Sequence, residues 1–316
     1  MICRDTADKY FRPPSAEQVK IILQSINEYD KGKLNHNEEL LKQWIKYQKH
    51  FPQDIDPAMT RSFLRGTKHN IDQAKRKLEN YLAAKQLYPD IYLHRAPILS
   101  KEILKAMEVM NVVALPNLTT NGCRINWFSL NIGDPSEFSS DYIMKFIFMF
   151  GDLMFMMNQP VAGEIIVIDA SLARPEHVIA FFGSVVKKLI ILLRNAYPIR
   201  LHQVHVIKAP HMVDKFMSLI KPLLHPKIRD KIYFHKDAKS LMTTFGIENL
   251  PSDYGGYLKS LRYLALDCYQ IIKENITWFE RQQHIKLSYI PEKVQTDLNC
   301  NEYFGVDGSF RQLNVD

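Results

Sequence analysis

Cysteine and long hydrophobic runs are scarce in this chain, and each shortage excludes a class of protein. The four cysteines among the 316 residues are too widely separated to indicate a zinc site or a disulfide scaffold: Cys3, Cys123, Cys268 and Cys300. The most apolar run, residues 146–157, is interrupted by Asp152 and is shorter than the ~20 residues that cross a bilayer. Charged residues within the first ten positions argue against a secretion signal. We therefore expect a cytoplasmic protein in a reducing compartment.

The sequence also lacks the motifs of the common enzyme classes. It has no Gly-x-Ser-x-Gly elbow, no phosphate-binding Gly-x-x-x-x-Gly-Lys, no Gly-x-Gly-x-x-Gly and no His-Glu-x-x-His. His202 and His205 are three residues apart on a predicted strand, so they face opposite sides and are not expected to share a metal ion. Asp169 follows a predicted strand and is interpreted as a structural acid that caps the turn at Ser171. We predict no catalytic residues, no metal, no cofactor and no enzymatic activity.

The positive charge of the chain is concentrated in one segment. The formal net charge is +7, yet residues 187–239 alone contain 12 lysines and arginines against three acids, while the remainder holds 29 basic and 31 acidic residues. A nucleic-acid site is disfavoured, because the sequence has no zinc-finger spacing, RNP-like aromatic motif or heptad-coupled basic region. A plain solvated face and a site for anionic membranes both stay open at this point.

Hydrophobic spacing predicts a helical region followed by an α/β region. Residues 15–88 show apolar positions at helical spacing after a capping box formed by Ser15 and Gln18. From about residue 98, helices alternate with short β-rich runs, which is typical of layered α/β structures, and Asn121-Gly122 favours a hairpin turn. The predicted strands are 112–115, 124–130, 165–169, 204–208 and 232–235. The predicted helices are 139–158, 175–196, 211–221 and, after Gly256, one long helix over roughly 257–283.

Two distant segments resemble the ends of a CRAL-TRIO lipid-binding domain of the tocopherol-transfer and cellular-retinaldehyde-binding type. Residues 63–78, Phe-Leu-Arg-Gly-Thr-Lys-His-Asn-Ile-Asp-Gln-Ala-Lys-Arg-Lys-Leu, resemble the helical element that begins Phe-Leu-Arg in that family. Residues 250–257, Leu-Pro-Ser-Asp-Tyr-Gly-Gly-Tyr, resemble its closing motif, with Asp253 where glutamate is usual. The last residues, 304–316, are similar to the end of many insect members.

This resemblance implies a specific domain organisation. A helical amino-terminal domain, residues 1–90, precedes an α/β/α CRAL-TRIO domain, residues 91–258, which contains a five-stranded sheet and a mobile lid helix. Residues 259–316 form a carboxy-terminal helix and tail. Proteins of this family carry lipids and do not transform them.

The methionine- and phenylalanine-rich helix around residues 146–157 is the predicted wall of a ligand pocket. Spacing alone fits simple core packing equally well, but flexible methionine and flat phenylalanine also suit an irregular apolar ligand, and the family places this helix against its pocket. No small hydroxyl residue occurs between Tyr142 and Asn158, unlike the tocopherol-type carriers. The candidate pocket residues are Phe146, Phe150, Met154, Ile166, Ile168, Phe182 and Val185.

Residues 211–224 form an amphipathic segment that resembles the mobile gate of the family. Without that resemblance, a plain surface helix is the alternative interpretation. Prolines at 210 and 222 favour hinges at both ends of the segment. The candidate lid residues are Phe216, Met217, Ile220, Leu223 and Leu224.

In the tocopherol carriers a basic cleft beside the gate holds phosphoinositide head groups, and the resemblance carries that role to four positions. These are Arg200, Lys227 and Lys231, with Lys68 beside the fourth family position, which Thr67 occupies here. The expected function is intracellular binding and intermembrane transfer of a bulky hydrophobic molecule such as a tocopherol, retinoid, carotenoid or other terpenoid. The expected partners are that ligand and, transiently, an anionic membrane, with no nucleic acid. The alternative is a lipid-sensing module that signals its bound lipid to a protein partner.

Overall fold

Helices make up the amino-terminal part of the chain, as the apolar spacing predicts. The computed structural model describes residues 8–95, 100–210, 217–218, 224 and 226–299. After a helical stretch at residues 8–10, the described helices that precede the sheet are α1 (Ala16–Ser25), α2 (Lys31–Tyr47), α3 (Pro57–Gly66), α4 (Ile71–Leu87), α5 (Pro89–Tyr92) and α6 (Lys101–Val109).

Short polar side chains fix where these helices begin. The predicted capping box is confirmed, because Ser15 Oγ accepts from the Gln18 amide at 3.2 Å and Gln18 Oε1 accepts from the Ser15 amide at 2.8 Å. Asp56 caps α3, whose first residue is Pro57. Asn70 caps α4 by accepting from the Gln73 amide at 3.0 Å.

A five-stranded sheet follows, in the order β1-β2-β3-β4-β5. Strands β1 and β2 are antiparallel and are joined by a turn in which Gly122 has φ of 73°, so the predicted hairpin is confirmed. The remaining neighbours pair in parallel. The strands are β1 (Met110–Leu118), β2 (Cys123–Leu130), β3 (Gly163–Asp169), β4 (Leu201–Ile207) and β5 (Ile232–His235).

Helices connect the parallel strands and follow the last one, as parallel pairing requires. The helices of this part are α7 (Ser140–Met156), α8 (Pro175–Ser184), α9 (Val186–Ile191), α10 (Pro226–Arg229), α11 (Lys239–Phe245), α12 (Leu261–Glu274), α13 (Ile276–Gln282) and α14 (Glu292–Leu298). A π-helical turn over Leu192–Ala196 extends α9.

The closing motif at residues 250–257 ties the sheet to α12. A side chain at Gly256 would place its Cβ 1.9 Å from the Leu250 carbonyl oxygen, so only glycine fits there. Asp253 Oδ2 accepts from the amide of Leu261, the first residue of α12, at 2.6 Å. Asp169 accepts from the Ser171 amide at 2.8 Å and from the Tyr254 hydroxyl at 2.7 Å, which confirms its role as a turn-capping acid.

The structure differs from the sequence prediction after the closing motif. The predicted long helix over 257–283 begins only at Leu261 and is interrupted at Asn275, whose side chain donates to the Ile271 carbonyl oxygen at 2.8 Å. The predicted helix over 211–221 and the tail at 304–316 lie outside the described residues, apart from positions 217 and 218. Within the described part, no helix is both long and apolar enough to cross a membrane.

Candidate functional site

A cavity of about 520 Å³ lies on one face of the sheet. Along β2 and β3, alternate residues keep residual exposure while their neighbours are buried, and the partly exposed ones border the cavity. Ile168 is 37% exposed although β3 has a strand on each side. The floor of the cavity consists of Asn126, Phe128 and Leu130 of β2, Glu164, Ile166 and Ile168 of β3, Val204 and Val206 of β4, and Ile232 and Phe234 of β5.

Helices α7, α8 and α9 provide the walls opposite the sheet. From α7, residues Ile147, Gly151 and Met154 border the cavity at the spacing of one helical face. Phe181 of α8 and Leu189 of α9 continue the wall. Cavities of 300–1,000 Å³ with mainly apolar walls are typical of small-molecule sites.

The structure brings several of the predicted pocket and lid residues to this cavity. Phe150, Met154, Ile166 and Ile168 border it, as do Met217 and Leu224 of the predicted lid. The lid positions Phe216, Ile220 and Leu223, and the side chain of the pocket candidate Phe182, lie outside the described part.

Two predicted pocket residues point elsewhere. Phe146 is fully buried, and its ring packs edge-on against Tyr269 of α12 at 5.4 Å. Intervals of four place Phe146 eight residues before Met154. At about 100° per residue, two side chains eight residues apart point in directions that differ by about 80° around the helix axis. Val185, at the junction of α8 and α9, is 2% exposed and belongs to the core. The wall positions are instead held by Ile147 and Phe181.

One end of the cavity is polar, which the sequence analysis missed. Arg124 of β2 and Glu164 of β3 are register partners where both strands begin. Asn126 Nδ2 donates to Glu164 Oε2 at 2.5 Å. Arg124 donates instead to the carbonyl oxygens of Leu115 and Pro116 at 2.8 and 3.1 Å and to Gln159 Oε1 at 2.9 Å. The sequence did contain a signal: Arg124, Asn126 and Glu164 occupy the strand positions whose side chains alternate toward the cavity.

Burial changes the proton affinity at this end. It raises the pKa of Glu164 from its usual 4.5 to about 7, because desolvation outweighs the hydrogen bond from Asn126 and the charge of Arg124. Burial also lowers the pKa of Arg124 to about 10. Glu164 therefore exists in both protonation states near neutral pH.

Replacing Glu164 with glutamine is expected to stabilise the protein increasingly as pH rises above 4.5. The pKa of the Glu164 carboxyl is higher in the folded than in the unfolded protein, so its ionisation lowers the free energy of unfolding as pH rises from 4.5 to about 7. Above that pH, the lost stability is constant. Glutamine cannot ionise and still accepts from Asn126. Since the side chain is partly exposed, we expect a gain of about 1 to 2 kcal/mol at pH 8 and none at pH 4.5, measured by thermal unfolding.

The control for that experiment is Glu280→Gln, at an exposed carboxyl of α13. It should give the same difference in melting temperature from the parent at both pH values. A Glu164→Gln variant that behaves like this control would contradict the burial argument.

Three of the four predicted phosphoinositide positions lie near one histidine. Burial, and then the charges of Arg200, Lys231 and Lys68, lower the pKa of His202 on β4. We call these three residues around His202 the basic cluster. Lys68 is exposed, Lys231 is half-buried, and Arg200 also borders the polar end of the cavity. The fourth position, Lys227, lies on α10 with its side chain outside the described part.

A buried charge network supports the cavity wall from behind. Asp152 of α7 forms an ion pair with Arg95 and accepts from the Tyr197 hydroxyl at 2.6 Å. The Tyr92 hydroxyl donates to that of Tyr197 at 3.1 Å, and Lys77 Nζ donates to the Tyr197 carbonyl oxygen at 2.5 Å. We call Arg95, Asp152, Tyr92 and Tyr197 the Asp152 network.

The two histidines of β4 contact different residues. His202 lies beside Gly163, where a Cβ would come 2.2 Å from its ring. His205 contacts His235, with 2.9 Å between Nδ1 and Nε2. The β3–β4 register shifts at residue 202, so the alternation assumed in the sequence analysis does not hold there. Among the described residues, no three histidine, cysteine or acidic side chains are placed to hold a metal ion.

Two protein-family models match this chain, one over its sheet and one over its amino-terminal helices. The family model for the CRAL/TRIO domain matches residues 108–256, and the model for "Pinta-like, UBA domain" matches residues 30–103. Residues 108–256 belong to the CRAL/TRIO domain family. All five strands fall within the CRAL/TRIO match, and α2 to α5 fall within the other. Most of the cavity lining lies in the CRAL/TRIO match, while Ser62, Arg65 and Gly66 of α3 come from the other.

The chain is also similar to known relatives, and one solved structure aligns with it. It is 26% identical over 260 residues to the alpha-tocopherol transfer protein-like protein of Homo sapiens, covering 78% of this chain and 74% of that protein. It is 27% identical over 210 residues to clavesin-1 of Rattus norvegicus, covering 64% of this chain and 58% of that one. The crystal structure of Sfh5 aligns with a TM-score of 0.45 at 12% identity, covering 85% of this chain and 100% of that chain.

Proposed function

We propose that this protein binds a bulky hydrophobic small molecule in its cavity and transfers it between membranes without transforming it. The observation that carries this proposal is the cavity of about 520 Å³, whose floor and walls are mainly hydrocarbon. Its human relative has alpha-tocopherol transfer in its name, which supports a cargo of comparable chemistry: a tocopherol, retinoid, carotenoid or other terpenoid.

Transfer, and not free diffusion, follows from the energetics of such a cargo. A molecule with about 15 to 20 buried methylene equivalents loses on the order of 12 to 16 kcal/mol on entering water, at ~0.8 kcal/mol each. The cargo must therefore pass directly between membrane and cavity. Met217 and Leu224 border the cavity, which supports a gate in the segment that contains them.

The basic cluster supports docking at an anionic membrane surface. Arg200 belongs to the basic cluster and also borders the polar end of the cavity. Lys68 and Lys231 of the same cluster therefore lie near that end. Each basic residue near an anionic surface contributes about 1 kcal/mol, so a few together allow docking that is still reversible. Phosphoinositide head groups are the proposed anionic partner, and the proposed location is cytoplasmic with transient membrane association.

Reversing the charge of Lys68 and Lys231 together, by Lys68→Glu and Lys231→Glu, is expected to slow transfer between vesicles at least ~10-fold, because docking loses several favourable charge contacts. Equilibrium affinity for the cargo should stay within about 2-fold. Transfer of a fluorescent retinoid is measured between vesicles that contain phosphoinositide. Arg200 is left unchanged because it also borders the cavity.

The matched control is Lys286→Glu. Lys286 is exposed and lies near the carboxy-terminal end of α4, because Gln86 of that helix donates to the Leu287 carbonyl oxygen. Lys68 precedes the start of α4 and so lies near its opposite end. Equal transfer rates for the double variant and the control would contradict docking through the cluster. Tight cargo binding with no transfer by the parent protein would favour the lipid-sensing alternative. Solvent extraction of the purified protein followed by mass spectrometry identifies the cargo.

A further inference from the structure

The two ends of the cavity differ in chemistry because of the register of the sheet. Where β2 and β3 begin, Arg124 pairs with Glu164; two residues further on, Asn126 pairs with Ile166; and two further still, Phe128 pairs with Ile168. The backbone amide of Glu164 donates to the Arg200 carbonyl oxygen at 2.8 Å, so Arg200 also belongs to the first of these rows. Charged side chains therefore concentrate where β2 and β3 begin, although Ser129, Asp169 and His177 also border the cavity.

The hydrogen bonds at the polar end leave two acceptors unused. Asn126 Nδ2 bonds to Glu164 Oε2, while the Nη atoms of Arg124 donate to backbone carbonyls and Gln159. Two buried donors, Arg124 Nε and Arg200 Nη1, have no partner among the described residues. Among the described residues, nothing donates to Glu164 Oε1 or to Asn126 Oδ1. Both side chains keep partial exposure while bordering the cavity, so these oxygens are reachable from inside it.

We propose that Asn126 and Glu164 bind a hydroxyl group of the cargo, which is therefore a hydrophobic alcohol or phenol held with its hydroxyl toward the start of β3. This inference rests on the proposed function and adds the head-group chemistry of the ligand. A pure hydrocarbon would leave both acceptors without a donor once it displaced water, and buried acceptors without donors are costly. An ether or ester accepts but does not donate. A hydroxyl satisfies one acceptor directly.

The absence of small hydroxyl side chains on α7 agrees with this assignment. Between Tyr142 and Asn158 that helix contains no serine or threonine, so its cavity face offers Ile147, Gly151 and Met154 to the cargo and no side-chain hydroxyl. The head-group contact is instead supplied by the sheet. Ser129 and Asp169 border the cavity at the other ends of β2 and β3, but Asp169 is held by Ser171 and Tyr254, and Ser129 by Asn111.

The test compares ligands that share one hydrocarbon skeleton and differ only in the head group. Retinol, retinyl methyl ether and retinoic acid form one series, and α-tocopherol with its methyl ether, and farnesol with its methyl ether, form two more. Dissociation constants are measured by quenching of tryptophan fluorescence at pH 7.5. For at least one skeleton, the parent protein should bind the alcohol about 10-fold or more tightly than the ether, the size expected for a hydrogen bond to a charged acceptor.

The variants locate the origin of this preference. In Glu164→Leu and Asn126→Leu, the alcohol-to-ether preference should fall to within about 2-fold. Glu164→Gln keeps an acceptor of the same shape without the charge, so it should retain an intermediate preference and also remains informative if the leucine variants do not fold. Ile168→Val, at the apolar end of β3, should change the affinities for alcohol and ether by the same factor and preserve their ratio.

The outcomes separate this proposal from the proposed function. Tight binding of both alcohol and ether in equal measure, or tightest binding of retinoic acid through Arg200, would overturn the hydroxyl assignment and leave the carrier function standing. If the preference persists in both leucine variants, the hydroxyl is bound elsewhere and the assignment is also overturned. Failure of every ligand in the three series to bind would overturn the carrier function, and the assignment with it.

Discussion

Replacing Asp152 with alanine is expected to lower the free energy of unfolding by about 3 to 5 kcal/mol, the usual cost of removing one partner from a buried ion pair. The side chains of Asp152 and Arg95 are 3% and 5% exposed, so water does not compensate for the lost contact. The variant leaves the Arg95 guanidinium buried without its carboxylate, and the Tyr197 hydroxyl loses its acceptor. Urea denaturation at pH 7, followed by tryptophan fluorescence, measures the change.

Two further variants show whether charge or packing is responsible. Asp141→Ala removes an exposed acid from the same helix and should cost less than about 1 kcal/mol. The double variant Arg95→Met, Asp152→Leu removes both charges and should recover most of the stability lost in Asp152→Ala. A loss below about 1 kcal/mol for Asp152→Ala would contradict the structural role of the network. Because Arg95 and Asp152 fall in the two different family matches, this ion pair joins the two regions of the chain.

Replacing Gly151 with phenylalanine is expected to weaken cargo binding by at least ~100-fold without unfolding the protein. Gly151 lies inside α7 and borders the cavity, and a Cβ there would meet only the Tyr197 ring, at 3.8 Å. A phenyl ring in the cavity displaces several methylene groups of the cargo, and three or four of them at ~0.8 kcal/mol each correspond to a loss of that size. Retinol titration measures the affinity, and thermal unfolding measures the stability.

The matched control at the same position is Gly151→Ala. Alanine fits the available space and has a higher helix propensity than glycine, so it should stabilise the protein by up to about 1 kcal/mol and leave cargo affinity within about 3-fold. Unchanged affinity in Gly151→Phe would show that the cargo binds outside this cavity. Loss of folding in Gly151→Phe but not in Gly151→Ala would show that the cavity has less room than its volume indicates.

The strands were predictable because their sequences carry strong local signals. The predicted strand over 232–235 coincides with β5, and the predicted strand over 124–130 lacks only the first residue of β2. The extra residues of β1 and β4 come from pairing with neighbouring strands, which local composition does not encode. The carboxy-terminal helix was placed too early because the bridge between Pro251 and Leu258 holds that segment in an extended turn.

The site was only partly predictable, because facing depends on packing as well as on spacing. The pattern on α7 identified Phe150 and Met154, which border the cavity, but did not separate them from Phe146, whose ring α12 covers. Glu164 and Asn126 looked like ordinary polar residues in strands. Their importance became visible only when the parallel register placed them side by side at one end of an apolar cavity.

The partial exposure of Ile168 has a consequence for how much of this protein a cell contains. A residue of a central strand is normally buried, so the proposed cargo would complete a hydrophobic core that the chain itself leaves open at Ile168. A ligand that binds only the folded state raises the population of that state in proportion to its supply. Because cells degrade unfolded chains, the abundance of the protein is expected to follow the availability of its cargo, and scarcity of the lipid removes its carrier.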